Sequence, residues 1–515
     1  MKKTFRYCTI AIIIILSIGI GACTRQKNPA IDHIPANASM VLSIDINRLS
    51  EKSDFNSMKD NFIFKMLGMM LAQKNIPDFI QDRSLTGIDF NQSIYAATLN
   101  SDSLPLLTLA FVPLKDEHQF STLLEKADNN LQFKDQNGIN SADNNQFYIG
   151  VKNKLAIILI QKKIESNEAF GIIKNSFDLQ AGEGLAAHSK GFSTFMSQNN
   201  DIGIWFNMPD INWNQLKKHG NIPFDPGSLF DINAQLALNF EKGYTHIHTE
   251  SFANDSSVVW MKNILNNDFD KSLYAYLPDA LPAAVGRVHV NPESLFEILN
   301  HLGMLDSMES HSAMTKDNIK NIFSKFTGDL LFSFDGFINA DKAGYENPKP
   351  SILMVAGIKD SSGFLSNLKE NIVLDSLEMK GHFMDSFQQY MVLKPKAWVF
   401  SNNPAYRNKM KLGDYVANGN LDAEIEQDFE NNQAAILVDF QQLDRIIKRD
   451  HIKNVSQGLL DAIKSFDKLV IYQNQQGDFH NTGDIYLYLM DKKKNSLQSI
   501  IQTSIGAMGG SLFNN

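Results

Sequence analysis

Three short stretches hold residue types that chemistry uses. In THIHTE, residues 245–250, His246, His248 and Glu250 alternate. Side chains two apart share one face of a strand, and imidazole nitrogens with a carboxylate oxygen are metal donors. In HLGMLDSMESHSAM, 301–314, His301, Asp306, Ser307, Glu309 and His311 supply nucleophile, base and acid types. In KDEHQFSTLL, 115–124, Lys115, Asp116, Glu117 and His118 stand in a row that suits proton handling.

Each stretch also has a plainer explanation. The THIHTE alternation describes a solvated strand face opposite Ile247. A related stretch, IYQNQQGDFHNT at 471–482, keeps His480 as the counterpart of His246 but puts Thr482 in place of the second His. The expectation is therefore no metal site. The 301–314 spacing fits no known nucleophile–base–acid order and is expected to be a polar connection between helices. Trp205, Trp213, Trp260 and Trp398, with 35 Phe, would suit a lipid or glycan groove, yet aromatics of this kind fill cores. No phosphate-binding loop, H-E-x-x-H, G-x-S-x-G or EF-hand pattern occurs. No catalytic residue, metal ligand or cofactor is assigned.

The elements that would position such residues are written twice. Residues 34–49, IPANASMVLSIDINRL, parallel 281–295, LPAAVGRVHVNPESL. In the same order, 104–116 parallel 350–360, 147–160 parallel 389–402, 201–208 parallel 433–440, and 237–248 parallel 471–482. Six ordered matches, counting Thr86-Gly87 against Thr327-Gly328, at a spacing of about 230–250 residues indicate duplication. The copies span 34–271 and 272–515. The comparison explains KDEH: Lys115-Asp116, Phe120 and Leu124 recur as Lys359-Asp360, Phe364 and Leu368, whereas Glu117 and His118 become Ser361 and Ser362. Asp116 is thus expected to cap a helix whose Phe120 and Leu124 face a core. NGI at 137–139, KGH at 380–382, EKGY and QQGD read as hairpin turns. Leu236, Leu238 and Phe240 alternate with Gln235 and Asn239 as on a half-buried strand. Strand hairpins joined to amphipathic segments such as 117–131 and 166–177 predict an α+β fold. The expected architecture is two duplicated domains, each a largely antiparallel sheet with helices packed on one face.

The chain has 515 residues, a formal charge of −9, 43% hydrophobic and 20% charged residues, which is ordinary globular composition. Its acidity gives no basic surface for nucleic acid, and none is expected as a partner. The N-terminus has basic Lys2, Lys3 and Arg6, an apolar stretch and then Ile20-Gly21-Ala22-Cys23. This resembles the lipobox of bacterial lipoproteins, which implies a signal peptide over 1–22 and acylation of Cys23. Cys8, the other cysteine, would leave with the signal, so no disulfide is expected. Residues 23–33 would hold the lipidated Cys and a tether. Thr24 after the Cys, by the same resemblance, implies the outer membrane, and Arg25 and Lys27 favour its periplasmic face. Asp-Ser-apolar tripeptides at Ser103, Ser307 and Ser376 resemble the O-glycosylation sequon of Bacteroidota. The I-P-A-x-A-x-x-V start behind a lipobox resembles a Bacteroidota lipoprotein family of unknown function, which lends no catalytic residues.

The resulting expectation is an envelope lipoprotein, held to membrane lipid through acylated Cys23, that acts as a non-enzymatic binding or scaffold module. An envelope protein or small ligand would sit between the two halves. The alternative is an envelope hydrolase acting on glycan or lipid.

Overall fold

The computed structural model describes residues 28–502, apart from 55–81, 100–106, 129, 145–146, 161–163, 181, 208–231, 254–263, 267, 279–281, 302, 307–314, 339–348, 372–390, 413–420, 422, 453–454, 456 and 478–479. The strands are β1 (Ala38–Ile44), β2 (Ile94–Leu99), β3 (Leu107–Pro113), β4 (Lys134–Gln136), β5 (Ile139–Asn144), β6 (Phe147–Lys152), β7 (Leu155–Ile160), β8 (Ile202–Asn207), β9 (Ile232–Glu241), β10 (Tyr244–Ala253), β11 (Ala284–His289), β12 (Phe326–Ile338), β13 (Lys349–Ile358), β14 (Met391–Lys394), β15 (Ala397–Ser401), β16 (Ala434–Asp439), β17 (Phe466–Gln476) and β18 (His480–Leu489). The helices that matter below are α1 (Ile46–Lys52), α2 (Glu117–Ala127), α3 (Ser166–Asp178), α4 (Lys190–Met196), α5 (Ser361–Asn371), α6 (Pro404–Leu412) and α7 (Ala423–Glu430).

The 18 strands of the described residues join one antiparallel sheet. From one edge, neighbours run β4, β5, β6, β7, β3, β2, β1, β8, β9, β10. They continue through β18, β17, β16, β11, β12, β13, β15 to β14. The expected pair of separate sheets is thus a single continuous one. The strands before residue 254 and those after residue 283 meet at the antiparallel pairing of β10 with β18. Left unpaired, each of those strands would present a row of bare N–H and C=O groups, and the pairing satisfies both.

Two apolar cores lie on one sheet face. Val41, Ala97, Leu109, Leu159 and Trp205 are covered by Phe170 and Ile173 of α3 and by Phe192 and Phe195 of α4. Val285, Leu331, Val355, Val399 and Leu437 are covered by Met410 of α6 and Phe429 of α7. The opposite face is covered too: Val112, Ile149 and Val151 pack with Phe120 of α2, and Ile358 with Phe364 of α5. Helices therefore pack on both faces, not on one as expected. The reason lies in strands such as β6, where consecutive residues Tyr148, Ile149, Gly150 and Val151 are all buried and each face needs a cover.

Local features follow the residues that form them. Asp116 Oδ1 accepts from Gln119 N at 2.9 Å and starts α2, as predicted. Asp360 holds Gly363 N in the same way at the start of α5. Asn137 and Gly138 adopt φ of 54° and 75° between paired Gln136 and Ile139, the predicted two-residue hairpin. The turn expected at 380–382 lies outside the described residues. In β9 Phe240 is buried as expected, but so are Gln235 and Ala237 of the other side, while Leu236 and Leu238 are half-buried.

Candidate functional site

β9 and β10 form a hairpin through Lys242 and Gly243, where φ of 83° needs glycine and a Cβ would lie 2.9 Å from the Lys492 carbonyl oxygen. The hairpin sets Gln235 beside Glu250. Across the other edge of β10, register with β18 places His246 opposite Tyr486, His248 opposite Asp484, Thr249 opposite Gly483, Glu250 opposite Thr482 and Phe252 opposite His480. From Glu250 the cross-strand row runs through Gln235 and Trp205 to Val41. From Asp484 it runs through Tyr472, Ala435 and Arg287 to Leu331. The cluster therefore shares the face of both large cores and fills the polar strip between them.

A chain of carboxylates and imidazoles crosses the β10–β18 junction. His246 Nε2 lies 2.7 Å and His248 Nδ1 2.8 Å from Asp484 Oδ1. His248 Nε2 lies 2.9 Å from Glu250 Oε1. Gln235 Nε2 donates to Glu250 Oε2, which is also 3.8 Å from His480 Nε2. The His246 ring stacks on Tyr486 at 4.5 Å and 1°, and the His480 ring on Phe252 at 4.5 Å and 14°. These stacks fix both imidazole planes. The three imidazoles and two carboxylates are 22–31% exposed, reachable from solvent yet partly desolvated.

Burial opposes charge on His248, but hydrogen bonds and attraction from Glu250 and Asp484 outweigh it and hold the imidazole pKa above its usual value. Burial likewise disfavours the Asp484 carboxylate, and His248 and His246 outweigh it and hold its pKa below the usual range. A histidine that meets a carboxylate at each nitrogen donates to both only as imidazolium. Two negative groups thus enclose one positive one. Such a cluster can share a proton or offer nitrogen and oxygen donors to a cation.

The THIHTE residues are therefore brought together, and they gain Asp484 and His480, which spacing within 245–250 did not reveal. The available signal was the alternation of His480, Thr482, Asp484, Tyr486 and Tyr488 on one face of a second strand. Of the residues singled out in 301–314, two are described: His301 is exposed, and Asp306, exposed as well, pairs with Lys316. Ser307, Glu309 and His311 lie outside the described residues. In KDEH, Asp116 is spent on its cap, Glu117 Oε1 accepts from Lys154 N at 2.6 Å, and His118 is exposed. Trp205 is 1% exposed in a core, and Trp398 packs with Ile358 and Phe364. Trp213, Trp260, Cys23, Ser103 and Ser376 lie outside the described residues. A polar groove of about 810 Å³ opens where α1, the β9–β10 turn and residues 491–498 meet, lined by Glu51, Lys52, Glu241, Lys242 and Lys494.

Residues 31–497 match the family model described as Domain of unknown function (DUF4836). No curated protein matches the chain. Among solved structures, the chain is similar to crystal form IV of TP0453 at 8% identity and a TM-score of 0.28, covering 43% of this chain and 79% of that one. Crystal form I of TP0453 gives 8% identity and a TM-score of 0.27, over 45% of this chain and 81% of that one.

Proposed function

The chain belongs to the DUF4836 family, a domain of unknown function, and we propose that it is an envelope lipoprotein acting as a non-enzymatic binding or scaffold module. In this reading Cys23 is acylated after removal of 1–22, and the body is a tandem duplication, 34–271 and 272–515, joined edge to edge. The outer membrane, on its periplasmic face, is its address.

Strand order is the observation that carries the duplicated-scaffold reading. From the β10–β18 junction outward one side runs β10, β9, β8, β1, β2, β3, β7, β6, with β5 and β4 beyond them. The other side runs β18, β17, β16, β11, β12, β13, β15, β14. Element by element these are the repeated stretches of sequence, so the two halves support one another as images about the junction. With His246 matched to His480, 234 residues later, Thr249 matches its own partner Gly483. The His246–Tyr486 and His480–Phe252 stacks then become images of each other. A wide sheet with both cores filled and a polar groove open at the junction suits a partner or ligand.

Residues 24–30 reach at most about 25 Å, so an acylated Cys23 would hold this body against the bilayer. Among the described residues no helix is long and apolar enough to cross a membrane. Cys23→Ala should move the protein from the membrane fraction to the soluble fraction, and crosslinking in intact envelopes should capture one defined partner with the wild type. Unchanged processing and membrane association in the variant would overturn the anchor. Recovery of uncrosslinked monomer alone would overturn the scaffold.

A further inference from the structure

We propose that His246, His248 and Asp484 form a site for a divalent transition metal of the zinc class, built across the β10–β18 junction. The three offer one ligand atom each, and these atoms lie within 4.8 Å of one another. They are His246 Nε2, His248 Nδ1 and Asp484 Oδ1, two neutral-type nitrogen donors and one carboxylate oxygen. Such a set of three protein ligands leaves a tetrahedral ion one open position for water. With metal–donor bonds of about 2.0–2.1 Å, tetrahedral ligand atoms stand about 3.3 Å apart. The nitrogen–oxygen separations of 2.7 and 2.8 Å would therefore open by about half an ångström. Small side-chain rotations supply that.

The surroundings match what ligating histidines require. A metal-bound imidazole donates its second nitrogen to a carboxylate or carbonyl, which fixes the tautomer. His248 Nε2 meets Glu250 Oε1 at 2.9 Å, and Gln235 holds the other oxygen of Glu250. The His246 plane is set by its stack on Tyr486. One ligand comes from each side of the junction at least, so a bound ion would clasp β10 to β18. This site stands apart from acylation of Cys23, and failure of either reading leaves the other untouched.

The full chain, purified in detergent and stripped with a chelator, is titrated with Zn²⁺ by calorimetry and with Co²⁺ by visible absorption. One Zn²⁺ per chain is expected, with affinity falling at least about tenfold in Asp484→Asn and in His246→Gln. Glu250→Gln should weaken binding about 10–100-fold through His248 orientation. Co²⁺ should show the intense bands of a tetrahedral centre. Absence of Zn²⁺ binding by the wild type, or binding unchanged in both Asp484→Asn and His246→Gln, overturns the site. Should either variant fail to fold by circular dichroism, the wild-type Co²⁺ spectrum decides: tetrahedral bands uphold the site and octahedral ones overturn it.

Discussion

Asp329 is 3% exposed, and its Oδ1 lies 2.7 Å from His289 Nδ1. Thr327 Oγ1 donates to its other oxygen at 2.6 Å. Burial pushes this carboxyl pKa up, but the hydrogen bonds and charge of His289, with Thr327, outweigh burial and hold it below the usual range. A carboxylate whose folded pKa is depressed adds stability above its unfolded pKa, about 3.9, and loses it as pH falls through the folded value. Asp329→Asn should therefore be less stable than wild type at pH 7 and lose less further stability between about pH 4 and pH 2. Parallel acid limbs in thermal melts of the two proteins would remove this role. The carboxylates differ in how far sequence disclosed them. Asp116 reads as a cap because its partner, Gln119 N, is three residues away. Asp484 could not be read as a partner of His248, because 236 residues separate them and only strand register joins them.

Elements were legible where their signal is local and hidden where two faces compete. The Asn137-Gly138 hairpin follows from residues that tolerate positive φ, whereas Asn153 and Lys154 make a similar turn at φ of 51° and 59° with no glycine to announce it. Helices over 117–127 and 166–178 followed from apolar residues three and four apart. Which sheet face each would cover did not, because strands buried on both sides lose the alternation that marks a face. Gly150 shows what such a strand demands. A Cβ there would lie 2.6 Å from Ile173 Cγ2 of α3 and 3.1 Å from Ile139 Cγ2. The missing side chain sets how closely α3 seats on β6. Gly150→Val should cost about 1–3 kcal/mol in chemical denaturation, as overpacking does. Adding Ile173→Ala should restore part of that loss. Additive costs in the double variant would show that the helix seats independently of Gly150.

At the scale of the whole molecule, the spacing of about 230–250 residues led to the expectation of two separate sheets, but gave no sign that the β9–β10 and β17–β18 hairpins pair with each other. Alternation looks the same on a strand that ends a sheet and on one that continues into another, so the junction lay outside what periodicity can say. The junction makes a definite demand on the halves when they are separated. Without 272–515, β10 becomes an edge along the nine residue pairs from Tyr244 to Phe252 that β18 now satisfies. That edge is nearly complementary to itself. If one β10 paired antiparallel with another about Thr249, His246 would again face an aromatic ring, Phe252, twice. It would also set Glu250 opposite His248, where Asp484 now stands. A fragment of 34–271 should therefore run as a dimer or larger species in size-exclusion chromatography, and 272–515 supplied in trans should convert it to a one-to-one complex. A monomeric fragment with the melting temperature of the full chain, indifferent to the second half, would mean that the β10–β18 pairing contributes nothing to stability.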